Sequence, residues 1–276
     1  MKMKKFVLGM VAVAAIVTLA ACGSKKEASD TNSWKTIEKD KKVTIGLDDT
    51  FVPMGFKDED GKIVGFDVDL AKAVFKEYGI EAKFQPIDWS MKENELDNGT
   101  IDLIWNGYTV TKSREKKVLF SDPYAQNEQV LVTKKDSGIT DAKGMKGKVL
   151  GAQEGSSGYE AFNNQADVLK DNVKDNDATL YASFNEAMID LENNRIDGLL
   201  IDKVYADYYL KQANKMDNFN IFNVGFTNED FAVGARKGDK ELISKINSAF
   251  KKLQEDGQYA EISKKWFGEE LTLPKD

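Results

Sequence analysis

From Trp34 onward the chain alternates short apolar runs of strand length with amphipathic stretches of helix length, separated by brief polar turns. VTIGL (43–47) leads to GFDVDLAKAVFKEYG (65–79), where Phe66, Leu70, Val74 and Tyr78 recur every four residues beside Ala71 and Phe75. That recurrence puts an apolar stripe on one helix face, with Asp67 available as a cap at its start and Gly79 as a stop. KFQPI, DLIWN, VLVTK, KVLGA, GLLID and FAVGA follow as strand candidates. Ser183 and Glu186 form a capping box before AMIDLENN, and DKELISKINSAFKKLQEDG carries Leu242, Ile246, Phe250 and Leu253 on one face before Gly257. Such alternation predicts an α/β fold of mostly parallel sheets flanked by helices. With 276 residues, 41% of them apolar, the chain can fill one large core or two lobes of about 100 to 150 residues each.

The alternation contains an echo. GTIDLIWNG (99–107) and NRIDGLLID (194–202) both pass from a helix end through a turn, Asn98-Gly99 or Asn193-Asn194, into Ile-Asp, an apolar strand and an abrupt polar stop. In open α/β sheets ligands bind beyond the carboxyl ends of strands. Gly107 and Asp202, which end the two copies, are therefore candidates to face each other across a cleft. Two unrelated parallel strands would also look this alike.

The first 22 residues, MKMKKFVLGMVAVAAIVTLAAC, have a different character. Lys2, Lys4 and Lys5 precede an apolar run from Phe6 to Val17 and the small-residue stretch Leu19-Ala20-Ala21, the pattern of a secretion signal over residues 1–21. A permanent membrane span competes with this reading, but the run is short and breaks into GSKKEASDTNS. Cys22 is the only cysteine, so no intramolecular disulfide is possible. Residues 22–33 lack a hydrophobic period and read as a flexible tether. Removing residues 1–21 takes away three lysines and no acids, moving the net charge from −7 to −10. That balance disfavours a nucleic-acid partner.

The inventory of reactive groups is thin. The chain has no histidine, the commonest general base and metal ligand. It shows no Ser-His or Cys-His arrangement, zinc spacing, P-loop or GxGxxG, so neither a metal nor a cofactor is expected. Asp48 and Asp49 are adjacent acids in a loop, a position that is either solvated or ligand-reading. Only three arginines occur, Arg114, Arg195 and Arg236, among 39 basic residues. Arg offers a planar fork that meets a carboxylate through two hydrogen bonds, which Lys cannot do. Arg114 stands in GYTVTKSR, five residues after Thr109 and seven after Gly107, and is a candidate anion clamp. A solvated loop position is the alternative. Arg195 and Arg236 sit in charged turns and read as surface.

Taken in order, these motifs resemble solute-binding family 3, the amino-acid-binding proteins of bacterial ABC importers, and among them the lipid-anchored ones. GFDVDLAKAVFKEYG looks like the family's signature helix, NGYTVTKSREKKVLFSDPY like its ligand loop, and RIDGLLIDKVYADYYL like its second-lobe aspartate segment, within a similarity running from about Lys42 to Gly268. Leu19-Ala20-Ala21-Cys22 resembles a lipobox; the resemblance implies that Cys22 takes a diacylglyceryl group and becomes the mature N-terminus. Two or more acyl chains hold a protein stably on a bilayer.

The resemblance implies a type II periplasmic-binding-protein-like fold, with two lobes of mixed, mostly parallel sheet joined by two hinge strands and closing on one amino acid. Lobe one is expected at 34–123 with 232–276, lobe two at 129–226, and the hinges at 124–128 and 227–231. It also implies that Arg114 clamps the ligand's α-carboxylate, while Thr109, the Gly107 carbonyl and Asp202 receive the α-ammonium. Ser156 and Ser157 in GAQEGSSGYEAF match positions where free N–H groups meet the carboxylate opposite Arg114, although a plain helix cap fits them equally. Phe51 and Trp89 match an aromatic pair that sandwiches the ligand side chain, or are core. Asp48 and Gln153 match positions that read the side-chain end; several relatives carry a Lys or another residue at the Gln153 position, and here Ile201 rather than a polar residue precedes Asp202. A free polar amino acid, glutamine or cystine ahead of a basic one, is the implied ligand, and the protein is expected to be a monomer serving ABC permease subunits. An enzyme on the same fold, such as a dehydratase, and the sensing lobe of a receptor are the alternatives.

Overall fold

The computed structural model describes residues 32–271. The expected signal peptide, Cys22 and all but the end of the tether lie outside these residues. Asn32 and Ser33, read as the end of the tether, are held to the body: Asn32 Nδ2 donates to Glu241 Oε2 at 2.5 Å, and the Ser33 N–H to Asp239 Oδ1 at 2.8 Å.

The chain begins lobe one with α1 (Trp34–Asp40) and β1 (Lys42–Leu47), then folds β2 (Thr50–Phe51), β3 (Gly55–Lys57) and β4 (Ile63–Val64) into a small antiparallel sheet. After α2 (Phe66–Lys76) come β5 (Glu81–Pro86), α3 (Lys92–Asp97), β6 (Leu103–Ile104) and β7 (Val118–Phe120). Strand β8 (Ala125–Asn127) leaves for lobe two, which holds β9 (Gln129–Lys134), β10 (Leu150–Gln153), α4 (Ser157–Asn164), β11 (Ala178–Tyr181), α5 (Phe184–Glu192), β12 (Gly198–Asp202), α6 (Lys203–Gln212) and β13 (Phe219–Asn223). The return strand β14 (Glu229–Phe231) pairs antiparallel with β8, and β15 (Gly234–Arg236), α7 (Lys240–Glu255) and α8 (Gln258–Phe267) complete lobe one.

Each lobe is a five-stranded sheet with helices packed against it, in the orders β5-β1-β6-β15-β7 and β11-β10-β12-β9-β13. In each, one strand, β15 or β9, runs against the other four, which matches the mixed, mostly parallel expectation. FAVGA, read as one strand, is divided: Phe231 ends the crossover strand β14, and Gly234 opens β15.

The predicted helix faces bury as their spacing requires. Phe66, Leu70, Ala71, Val74 and Phe75 of α2 and Leu242, Ile246, Phe250 and Leu253 of α7 are all inside. Burying one such side chain contributes about 1.5 to 3 kcal/mol, so these stripes, rather than helix propensity, fix where the helices lie. Ser183 and Glu186 make the reciprocal capping box. Asp67 does not cap α2. Gly65 holds that position at φ 143°, with an added Cβ only 2.2 Å from the Met54 carbonyl oxygen, and Asp67 turns into the core.

The repeated Ile-Asp now has a structural cause. Gly99 and Asn194 both take left-handed backbone at the turn, with φ 76° and 57°. Asp102 then accepts the Thr44 N–H at 2.9 Å and Asp197 the Val149 N–H at 2.8 Å. In each lobe this aspartate ties the incoming strand to its parallel neighbour at the amino end, leaving the carboxyl end for function.

Arg236 is a correction. Far from being a surface residue, it is 7% exposed. Its guanidinium donates to the Leu96 and Ile101 carbonyls and pairs with Asp102 at 3.1 Å and Asp239 at 3.0 Å, pinning β15 to the α3–β6 turn. Arg195 does lie at the surface, on Asp190.

Candidate functional site

Four strands deliver polar groups at their carboxyl ends. Leu47 of β1 is followed by Asp48, and Ile104 of β6 by Trp105-Asn106-Gly107; β10 ends on Gln153 and β12 on Asp202. The two sheets point these ends at one another, and between them lies a narrow pocket. Asp48, Phe51, Trp89, Asn106, Gly107 and Arg114 line it from lobe one, and Gln153, Ser156, Ser157 and Asp202 from lobe two. Nine of the ten expected ligand residues are thus on the wall. Thr109, the tenth, sits just behind it with its hydroxyl 3.0 Å from Ser157 Oγ across the cleft.

A side chain at Gly107 would be strained: the residue has φ 55°, and an added Cβ would stand 2.7 Å from the Phe51 ring and 3.3 Å from Phe231. Its N–H donates to Asp67 Oδ2 at 2.7 Å, and the same oxygen accepts the Tyr124 hydroxyl at 2.8 Å. Complete burial pushes the Asp67 carboxyl up to about 7. The pocket wall is thereby tied to Tyr124, beside crossover strand β8.

Arg114 lies in a short helical turn and is 4% exposed, which excludes the solvated-loop alternative. Nη1 donates to the Thr109 carbonyl and Nη2 to the Gly155 carbonyl, each at 3.0 Å, and the guanidinium stacks 4.6 Å over the Tyr108 ring. Both carbonyls orient the fork without neutralising it, so its positive charge stays available to a ligand. Lys92, 2% exposed, donates to the Trp89 and Gly155 carbonyls at 2.9 Å. Burial, and after it the nearby Arg114 charge, brings the Lys92 amine down to about 7.

Asp202 stands on the opposite wall, 4% exposed at the end of β12. Its Oδ1 accepts from Asn127 Nδ2 at 2.5 Å and Gln129 Nε2 at 2.9 Å. Burial and the neighbouring Glu229 carboxylate push it up to about 8. At the other end of the pocket, Gln153 Nε2 donates to Asp48 Oδ2 at 2.8 Å and to the Ala182 carbonyl at 3.0 Å, joining the lobes. Burial raises the Asp48 carboxyl as well, against hydrogen bonds from Thr50 and Gln153.

The remaining expectations divide. The Ser156 hydroxyl accepts the Tyr159 N–H and so caps α4, whereas the Ser157 hydroxyl faces Thr109. Phe51 packs on Phe184 and Tyr205 of lobe two at 5.8 Å, and Trp89 meets Tyr108 edge-on at 5.9 Å. Both rings are buried and both border the pocket.

Sequence reasoning missed Asn106, Lys92, Asn127, Gln129 and Glu229. Asn106, between a strand end and Gly107, accepts the Asp48 N–H at 3.0 Å; its place next to a singled-out glycine was a usable signal. Lys92 and Glu229 belong to no motif that marks them, and only the fold shows Lys92 buried and Glu229 half-buried beside the pocket.

Residues 43–269 match the model of the bacterial extracellular solute-binding proteins, family 3. The chain belongs to that family. This family-3 chain is 32% identical over 271 residues to the L-cystine-binding protein TcyJ of Escherichia coli (strain K12), covering 98% of this chain and 97% of the other. It is also 32% identical over 265 residues to the arginine-binding extracellular protein ArtP of Bacillus subtilis (strain 168), covering 96% and 98%. Its fold is similar, with a TM-score of 0.87 and 56% identity, to the crystal structure of an ABC uptake transporter substrate-binding protein from Streptococcus pneumoniae with bound histidine, over 88% of this chain and 99% of that one. Among the described residues no helix is long and apolar enough to cross a membrane.

Proposed function

We propose that this family-3 protein captures one free α-amino acid between its lobes outside the cytoplasm and delivers it to the permease of an ABC importer. The observation that carries this is the placing of one cation, Arg114, and one acid, Asp202, each 4% exposed, on opposite walls of a single interlobe pocket. An α-amino acid bears one anion and one cation on the same carbon, and each must find a charged partner when it leaves water. Arg114, aided by the N–H groups at Ser156 and Ser157, takes the α-carboxylate; Asp202, Thr109 and the Gly107 carbonyl take the α-ammonium. Phe51 and Trp89 flank the side chain, and Asp48 with Gln153 reads its end.

The ligand proposed is a polar amino acid, glutamine or cystine ahead of a basic one. Asp48 already accepts from Gln153 and Thr50, so that end of the pocket presents a carboxylate engaged by neutral donors rather than an open counter-ion for a basic side chain. Cystine, arginine and histidine binding among the relatives supports an amino acid without choosing one. Lipidation at Cys22, cleavage after residue 21, a monomeric state and lobe limits of 34–123 with 232–276 and 129–226 around hinges at 124–128 and 227–231 belong to the same proposal. Catalysis forms no part of it.

The test is a thermal-shift panel of the twenty amino acids and cystine on protein lacking residues 1–22. A true ligand at one hundred times its Kd adds about 2.7 kcal/mol of apparent stability. A panel in which no member raises the midpoint removes the proposal.

A further inference from the structure

Glu229 stands in crossover strand β14, and its Oε2 accepts from four donors carried by three parts of the molecule. Thr109 of lobe one reaches it at 3.2 Å, Ser157 of lobe two at 3.1 Å, Asn127 of β8 at 3.2 Å and Gln129 of β9 at 2.9 Å. The same two amide nitrogens, Asn127 Nδ2 and Gln129 Nε2, also donate to Asp202 Oδ1. Two carboxylates, Asp202 buried and Glu229 half-buried, are therefore bridged by shared neutral donors, and Arg114 is the cation that faces Asp202. Lys203, next to Asp202 in the chain, is turned to Asp207 at the surface, and Asp48 adds a third acid at the far end of the pocket. Burial first, and the nearby Glu229 after it, disfavour an ionised Asp202 until a cation arrives.

We propose that Glu229 is the second carboxylate of the ammonium site and that it shares one proton with Asp202, which the ligand's amino group displaces. The inference rests on the amino-acid reading above. Burial and the neighbouring Glu229 push the Asp202 carboxyl up, which leaves the proton with Asp202, while four donors gather on Glu229 Oε2. Binding is then an exchange of cations. The proton departs to solvent as the –NH3+ enters, and the net charge of the acid pair with its cation stays at −1 throughout. The arrangement selects a full ammonium, which can donate to Asp202, Glu229 and Thr109 together. It also couples occupancy to β14, because Glu229 lies in that strand two residues before Phe231, which Thr109 bridges.

The sign of the pH dependence follows. The acid pair holds the proton more tightly in the empty site than in the filled one, so affinity rises with pH below about 8, where Asp202 titrates, and levels off above it. Calorimetric titration at pH 7, in two buffers of different ionisation enthalpy, counts the protons released by whichever of L-glutamine, L-arginine and L-histidine binds most tightly. Wild type is expected to release close to one proton more than Asp202→Asn with the same ligand, and more than Glu229→Gln, in which burial alone still raises Asp202, and its affinity to rise by roughly 50-fold between pH 6 and pH 8, more steeply than that of Glu229→Gln. The difference between variants cancels any proton from the ligand itself. Equal counts in wild type and Glu229→Gln, or a flat wild-type affinity should that variant not fold, overturn the proton-sharing pair and leave amino-acid binding intact. Failure of all three ligands and of the wider panel overturns both.

Discussion

Lys92 of lobe one donates to the backbone carbonyl of Gly155 in lobe two at 2.9 Å, and Arg114 donates to the same oxygen at 3.0 Å. Two donors from one lobe thus hold one carbonyl of the other. Gly155 has φ 71°, and an added Cβ would come within 3.1 Å of Ser90 Cα and 3.2 Å of Lys92 Nζ, so the approach needs glycine. Lobes free to part would break these bonds and re-form them on closure.

Lys92→Met keeps the buried stem and removes the donor. A hydrogen bond from a charged group contributes about 1.5 to 3 kcal/mol, so affinity should fall by roughly one to two orders of magnitude for every amino acid alike, with faster release. Surface plasmon resonance on several ligands reads this. A changed ligand ranking would show that Lys92 touches the ligand side chain instead.

Thr109 and Gln153 separate the two ends of the ligand. Thr109→Ala should weaken all amino acids to a similar extent, because its hydroxyl lies by Ser157 and Glu229 at the backbone end. Gln153→Ala and Trp89→Ala should reorder preference. Competition assays decide the matter, and a Thr109 variant with altered ranking at unchanged overall affinity contradicts the orientation.

Arg236 gives the contrasting case of a buried arginine outside the pocket. Arg236→Met strands Asp239, which is fully buried, and removes donors from two carbonyls. Breaking such a pair costs about 3 to 5 kcal/mol. Urea unfolding should show that loss, with ligand affinity of the folded fraction unaltered.

Asp67 makes stability depend on pH. Its carboxyl is raised from 3.8 to about 7 on folding, chiefly by burial. The bound proton's contribution to stability is therefore complete below about pH 4 and is lost as pH climbs to about 7. Asp67→Asn, which retains an acceptor for the Gly107 N–H, should flatten the thermal midpoint over that range. An unchanged slope would place the titration elsewhere.

The sequence made the strands, the amphipathic helices and the Gly107–Arg114 loop legible because periodicity and loop chemistry are local properties. The same holds for the capping box at Ser183. Partners chosen by tertiary approach were not legible: Arg236 sits in a lysine-rich turn yet meets Asp102, 134 residues away, and Glu229 meets Thr109 across 120 residues. Asp67 failed as a cap because Gly65 already turns the chain and the core holds a donor pair, Gly107 and Tyr124, that no local pattern announces.

Calorimetric titration of Arg114→Met tests the cleft most directly. In the wild type the guanidinium is buried, oriented by two carbonyls and borders the pocket. If it holds the α-carboxylate, its loss leaves a buried anion uncompensated at about 3 to 5 kcal/mol. Affinity should then fall by roughly two to three and a half orders of magnitude for every amino acid that binds, in a protein that remains folded by circular dichroism. A folded variant that binds within about fivefold of wild type, a difference of only about 1 kcal/mol, would contradict the carboxylate clamp and the ligand orientation built on it.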